Sequence, residues 1–122
     1  MKIISPRIHG ILDYLTVLTL LLAPTIYAFT RTPWTIAYVL AASYLVISLL
    51  TDYPLAWKRV IPFSIHGLIE LVSVPVLFGL PWLLGFSEDY AARNFFIALA
   101  VITLLVWLLT DFKKVALNAP AR

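Results

Sequence analysis

Two short polar motifs interrupt an otherwise apolar chain. Each has a histidine, a glycine directly after it, and an acid four residues after the histidine: His9-Gly10 with Asp13, and His66-Gly67 with Glu70. Residues four apart share one face of a helix, so each motif predicts an imidazole beside a carboxylate. Side chains of these types bind divalent metal ions, transfer protons and ligate haem iron.

The composition is that of a membrane protein. Hydrophobic residues make up 62% of the 122 residues, charged residues 12%, and the mean hydropathy is +0.97. Soluble domains are about half apolar and one quarter charged, so this chain lacks the polar groups to cover a water-exposed surface. Because ionisable residues are costly within a membrane, those that do occur there indicate a functional site. The absence of cysteine excludes disulfides, thiolate metal ligands and cysteine catalysis.

Four apolar segments have the length that crosses a bilayer. They cover about residues 8–29, 34–50, 64–86 and 92–110, and about 20 residues of helix span a hydrocarbon core. Ser5-Pro6 is typical of a helix start. The first segment is too long for a signal-peptide core and no Ala-x-Ala site follows it, so we interpret it as a retained span. The sequence predicts an all-α membrane protein, a single domain over residues 1–122 with four transmembrane helices.

The two halves of the chain resemble one another. At an offset of 57, residues of the first half recur in the second: His9, Gly10, Val17, Leu20, Pro24 and Phe29 match His66, Gly67, Val74, Leu77, Pro81 and Phe86. At an offset of 59, Thr51-Asp52 matches Thr110-Asp111. We therefore predict two tandem two-helix repeats, at about residues 5–54 and 62–113. A repeat with an even number of spans begins and ends on the same side of the membrane. The two copies therefore have the same orientation and form a parallel internal repeat.

The basic residues predict the orientation. The side that holds both termini and the central loop has Lys2, Arg7, Lys58, Arg59, Lys113, Lys114 and Arg122, and the other side has Arg31 and Arg93. Lysine and arginine concentrate on the cytoplasmic side of membrane proteins. We predict that both termini are cytoplasmic in a multi-pass protein of the bacterial inner membrane. Membrane orientation accounts for the positive charge, so no nucleic-acid partner is predicted.

The ionisable residues are expected to gather at the cytoplasmic end. Besides the two motifs, Asp52 and Asp111 end the second and fourth spans, which makes six candidate metal-site residues: His9, Asp13, His66, Glu70, Asp52 and Asp111. Asp13 and Glu70, placed in the first helical turns, would be favoured by the helix dipole. Asp52 and Asp111, at helix C-termini, would be opposed by it and would need a cationic partner, a proton or a metal.

Four interpretations of this cluster remain open at this point. It binds a divalent cation such as zinc, manganese or iron; it relays protons; its histidines are axial ligands of a haem or chlorin; or its hydrogen bonds only tie helix ends together. Tyr44 is interpreted as a packing residue. No phosphate-binding loop and no nucleophile triad with credible spacing is found, so no enzyme activity is predicted.

One segment carries a family resemblance. It reads Leu80-Pro81-Trp82-Leu83-Leu84-Gly85-Phe86-Ser87 and resembles the SPW-repeat family of small bacterial integral membrane proteins, named for a Ser-Pro-Trp element in a two-helix unit. Here Leu80 replaces the serine, and the first copy reads Ala23-Pro24-Thr25. The resemblance implies a four-helix integral membrane protein and assigns no catalytic or binding residue.

The sequence thus favours a non-enzymatic binding or accessory subunit whose polar cluster holds a cation or docks a partner. Its surroundings would be the lipid bilayer, as a homo-oligomer or part of a larger membrane complex. The alternatives are a component of an ion- or proton-coupled transporter and a haem- or pigment-binding protein. A transporter needs polar residues through the midplane, and the few hydroxyl groups within the spans count against such a path.

Overall fold

The computed structural model describes residues 2–113 and is helical. Its elements are α1 (Pro6–Ile26), α2 (Arg31–Leu50), α3 (Phe63–Leu83) and α4 (Tyr90–Leu109). Each of the four is long and apolar enough to cross a membrane. In the described part of the chain, extended structure is limited to two isolated bridges. The predicted all-α fold with four membrane-length helices is confirmed, while Lys114 and Arg122, which entered the charge count, lie outside the described residues.

Two helices end earlier than predicted. We expected the first and third spans to continue to Phe29 and Phe86, but α1 ends at Ile26 and α3 at Leu83. The chain turns at Ala28 (φ 51°) and Gly85 (φ 75°), both in the left-handed region. After each turn the phenylalanine N–H donates to the carbonyl five residues back, at 3.0 Å to Pro24 and 2.8 Å to Pro81. These are the bonds of a Schellman-type helix end.

The apolar core lies in the half of the bundle away from the two histidines. Leu20, Leu77 and Phe96 are fully or almost fully buried there. The closest helix packing is within each hairpin, α1 with α2 and α3 with α4. Small residues allow that approach, since Ala37 and Ala92 are completely buried. In a membrane, such small residues provide close packing between helices where lipid removes the hydrophobic driving force.

Each bridge positions the start of one helix beside the end of another. Ile4, just before α1, pairs with Thr110, just after α4, and Ile61, just before α3, pairs with Thr51, just after α2. The N–H of Asp111 donates to the Ile4 carbonyl at 3.1 Å. These contacts hold the first turns of α1 and α3 against the last turns of α4 and α2.

Candidate metal site

Four of the six predicted residues form one buried group. His9 and Asp13 of α1 lie with His66 and Glu70 of α3, and one ligand atom from each lies within 4.8 Å of all the others. Their exposed fractions are 0%, 2%, 1% and 4% in that order. The imidazole centroids of His9 and His66 are 5.4 Å apart. The interior of the bundle therefore contains two imidazoles and two carboxyl groups, each almost completely buried.

Asp52 and Asp111 do not join this group. They follow the C-caps Thr51 and Thr110 rather than ending the helices. The Asp52 N–H donates to the carbonyl of Ile61 at 2.7 Å, and an Asp111 carboxylate oxygen accepts from the Lys113 N–H at 3.1 Å. We expected both aspartates in the cluster, but the residue that contacts a histidine is in each case the threonine directly before the aspartate.

The placement of Asp13 and Glu70 in first helical turns is wrong. Asp13 is the eighth residue of α1 and Glu70 the eighth residue of α3, and neither helix has an acid in its first turn. The helix dipole acts only over the first and last turns, so it contributes little to these carboxylates. Whatever stabilises them as anions must come from nearby side chains or a bound cation.

Two buried threonines orient the imidazoles. Nδ1 of His9 lies 2.8 Å from Oγ1 of Thr110, and Nδ1 of His66 lies 2.7 Å from Oγ1 of Thr51. Both hydroxyls also donate to a carbonyl four residues back, at 2.6 Å to Val106 and 2.7 Å to Ile47. A hydroxyl has one hydrogen, so each threonine oxygen must accept a hydrogen bond from Nδ1–H. In the neutral imidazoles the lone pair therefore lies on Nε2.

Both Nε2 atoms face the two carboxyl groups. Nε2 of His9 is 3.3 Å from Asp13 Oδ1 and 3.2 Å from Glu70 Oε2. Nε2 of His66 is 3.1 Å from Asp13 Oδ2 and 3.7 Å from Glu70 Oε1. Within residues 2–113, neither Nε2 atom nor Glu70 Oε2 makes an aligned hydrogen bond. Four acceptor groups thus converge on one point, and burying them without a cation or added protons is costly.

The spacing of these atoms is close to that around a bound metal ion. Zinc binds imidazole nitrogen and carboxylate oxygen at about 2.0–2.2 Å, so two ligand atoms of a tetrahedral site are about 3.4 Å apart. The nitrogen–oxygen distances lie between 3.1 and 3.7 Å when both oxygens of each carboxylate are counted, and one ligand atom from each of the four residues lies within 4.8 Å of the others. One divalent ion would also balance the charge of the two carboxylates. The four residues are therefore a suitable ligand set for zinc, manganese or iron.

Two tyrosines support the carboxylates from outside the group. Tyr53 donates from its hydroxyl to Asp13 Oδ2 at 3.0 Å, and Tyr44 donates to Glu70 Oε1 at 2.9 Å. Burial, followed by the charge of Asp13, raises the pKa of Tyr53 above its ordinary value, so its phenol stays a proton donor. Such partners fix the orientation of metal ligands. The interpretation of Tyr44 as a packing residue missed this bond.

Aromatic rings close the end of the site. Phe63 and Phe112 lie edge-on to the His9 ring, with centroids at 5.2 and 5.5 Å, and 4.7 Å from each other. Gly67 makes room for this wall, since a Cβ there would lie 2.8 Å from Phe112 Cε1. The neighbour that Gly67 accommodates is therefore an aromatic ring. The two rings thus cover the His9 imidazole on the side of the loops.

The geometry disfavours a haem or chlorin between the histidines. A macrocycle with two axial imidazoles needs a flat free space between the two Nε2 atoms. Here Asp13 and Glu70 lie within 3.7 Å of both Nε2 atoms and take up that space.

No family model, no curated protein and no solved structure matches this chain. The resemblance to the SPW-repeat family gains no support from these comparisons and stays a hypothesis.

Proposed function

We propose that this protein is a non-enzymatic membrane protein that binds one divalent transition-metal ion through His9, Asp13, His66 and Glu70. The observation that carries the proposal is the arrangement of acceptors. Both Nδ1 atoms are engaged by threonines, so both Nε2 lone pairs and both carboxylates face a common centre at ligand spacing. A divalent cation satisfies all four groups at once and leaves the buried site neutral.

The proposed membrane arrangement has two parallel hairpin repeats with both termini cytoplasmic. Equivalent contacts support the repeat, because the contact of His9 with Thr110 corresponds to that of His66 with Thr51. The two histidines are related by the offset of 57 and the two threonines by the offset of 59. The surplus of lysine and arginine near the termini and the central loop supports the orientation. The metal site then lies near the cytoplasmic face of the inner membrane, where the protein serves as a binding or accessory subunit of an oligomer or larger membrane complex.

The test is elemental analysis of the detergent-purified full chain after dialysis against trace zinc, manganese and iron. We expect about one divalent ion per chain in the native protein, and loss of that ion in the double variant His9→Gln, His66→Gln. Glu88→Gln is the matched control, because Glu88 is an exposed acid in the loop at the opposite end. A native protein without metal, or a metal that survives the double substitution, would contradict the proposal.

The second candidate is a component of a proton-coupled transporter. The observation in its favour is that two protons on the Nε2 atoms would balance the two carboxylates as well as one divalent ion does. The experiment that separates the two functions is proton flux in vesicles that contain the purified protein. Flux that is unaffected by chelators and lost in the histidine double variant would favour the transporter.

A further inference from the structure

A cavity of about 160 Å³ lies between α1 and α4, beside the metal site. At one end it is lined by Asp13, Glu70 and Tyr44. Leu15 and Ile102, which also line it, are about half exposed on the outer surface of the bundle. The cavity therefore joins the buried carboxylates to the lipid-facing side of the protein.

The cavity lies at a position where the two halves of the chain differ. At the offset of 59 that matches Thr51 with Thr110, Tyr44 of α2 corresponds to Thr103 of α4. Tyr44 places its ring near the interface with α3 and donates to the Glu70 carboxylate. Thr103 has a short side chain, which lines the cavity together with Asp13 and with Tyr44 itself. The first half thus has a phenol at this position, and the second half has a short side chain and a cavity.

The histidine–threonine contacts of the two halves also correspond, so Tyr44 and Thr103 are equivalent in the structure as well as in the sequence. His66 contacts Thr51 at 2.7 Å, and His9 contacts Thr110 at 2.8 Å. Asp13 of α1 corresponds in turn to Glu70 of α3. A tyrosine-like ring in the cavity would therefore meet the carboxylate of Asp13 as Tyr44 meets that of Glu70.

Size and polarity match one aromatic ring with a hydroxyl group. An apolar cavity of about 150 Å³ in another protein binds benzene, and the present cavity is of that size. Its inner end offers carboxylate acceptors, and Glu70 Oε2 has no aligned hydrogen-bond donor in the described part of the chain. A hydroxyl group suits this end of the cavity, because it donates to a carboxylate, whereas a ligand that offers only acceptors would be repelled by it.

We propose that this cavity binds a membrane-soluble phenol, an amphiphile with a hydroxyl-bearing aromatic ring and an apolar tail. The ring occupies the position that Tyr44 fills in the other half, and its hydroxyl donates to the carboxylate of Asp13 or Glu70. The tail leaves between Leu15 and Ile102 into the lipid. This binding goes beyond the metal site and does not require the metal.

The test compares two probes of matched shape on the purified full chain: 4-pentylphenol and its methyl ether, 4-pentylanisole. Hydrogen bonds to a charged group are the stronger kind, and we expect the phenol to bind at least about tenfold more tightly than the ether. Calorimetric titration in detergent, with and without chelator, measures both constants. Equal affinity for the two probes would overturn the proposal, because it would reflect partition into an apolar crevice.

Variants locate the binding site. Thr103→Tyr supplies the absent ring from the protein itself and is expected to abolish phenol binding without changing the metal content. Ser43→Tyr is the control, since Ser43 is exposed on α2. Leu15→Trp obstructs the mouth from an exposed position and provides a second test if Thr103→Tyr does not fold. Phenol binding that neither cavity variant weakens would also overturn the proposal, whatever the outcome of the metal analysis.

Discussion

Nδ1 of His9 lies 2.8 Å from the hydroxyl oxygen of Thr110, which is 101 residues later in the chain. Because that hydroxyl donates to the Val106 carbonyl, it accepts from the imidazole and fixes the tautomer. His66 and Thr51 have the same relationship. Each histidine is therefore held by a helix end from elsewhere in the chain, with Nε2 directed at the acids.

The double variant Thr51→Val, Thr110→Val removes both Nδ1 acceptors while nearly preserving side-chain volume. We expect metal affinity to fall by about 10- to 100-fold, the usual effect of losing a partner that orients a metal ligand. Zinc titration against a chelator of known affinity measures the change. Thr35→Val is the control, because Thr35 makes the same type of bond to a carbonyl four residues back but is exposed. Equal affinities in the two variants would show that the threonines do not orient the ligands.

Tyr53→Phe removes the hydroxyl that donates to Asp13 and leaves the ring in place. A buried carboxylate that loses a donor becomes harder to keep charged, so we expect a loss of about 1–3 kcal/mol in the free energy of unfolding of the metal-free protein. Thermal unfolding in detergent provides the measurement. Tyr27→Phe, at a surface tyrosine with 58% exposure, is expected to have no effect. A full restoration of Tyr53→Phe stability by zinc would indicate that the metal compensates for the lost donor.

Gly67→Ala tests the aromatic wall of the site. The new Cβ would lie 2.8 Å from Phe112 Cε1, so the ring must move away from His9, and we expect a loss of about 1–3 kcal/mol. Gly79→Ala in the same helix is the matched control, since its Cβ would meet only ordinary contacts from 3.4 Å outward. Alanine has the higher helix propensity, so the control variant should be as stable as the native protein or more so. Equal thermal stability of the two variants would contradict the tight packing of Phe112.

Asp89 links the hairpins at the end opposite the metal site. One carboxylate oxygen accepts from the N–H and the hydroxyl of Thr30, each at 2.8 Å, and the other caps α4 through the N–H of Ala92 at 3.2 Å. Partial burial raises the pKa of Asp89, but these hydrogen bonds outweigh it and hold the pKa below its ordinary value of 3.8.

A carboxyl group with a lowered folded-state pKa contributes stability above its unfolded pKa and loses it as the pH falls through the folded-state pKa. We therefore expect the stability difference between the native protein and Asp89→Ala to be present at neutral pH and to decrease as the pH falls below 3.8, the ordinary pKa of the group. At neutral pH the difference should be about 1 kcal/mol, as for other helix caps. Thermal unfolding from pH 7 to pH 2.5 measures it. A stability difference that does not change with pH would contradict the idea that these hydrogen bonds favour the charged form of Asp89.

The sequence was sufficient to predict the four helices, because their apolar lengths are set by the bilayer. It was less informative about where α1 and α3 end. Those ends depend on the left-handed turns at Ala28 and Gly85, and only the glycine is a residue that favours such a turn. An alanine in the sequence gives no indication that a left-handed turn forms at its position.

The convergence of His9, Asp13, His66 and Glu70 followed from their spacing and from the match between the halves. The partners that orient them could not be predicted in this way, since Thr51, Thr110 and Tyr44 resemble many hydroxyl residues in membrane helices. A signal was nonetheless present, because Thr51 and Thr110 match each other at the same offset as the acids after them. The structure shows which member of each Thr-Asp pair faces inward, because Thr51 and Thr110 are completely buried and contact the histidines.

Helix packing is closest within each hairpin, whereas several of the polar bonds described above cross from one hairpin to the other. Tyr44 reaches Glu70, Thr110 reaches His9 and Thr30 reaches Asp89. The same bonds would form equally well between hairpins that belong to two different molecules. Such an architecture permits an exchanged dimer in which two chains contribute to each proposed metal site, and the loop between α2 and α3 is the segment that would have to open to form it.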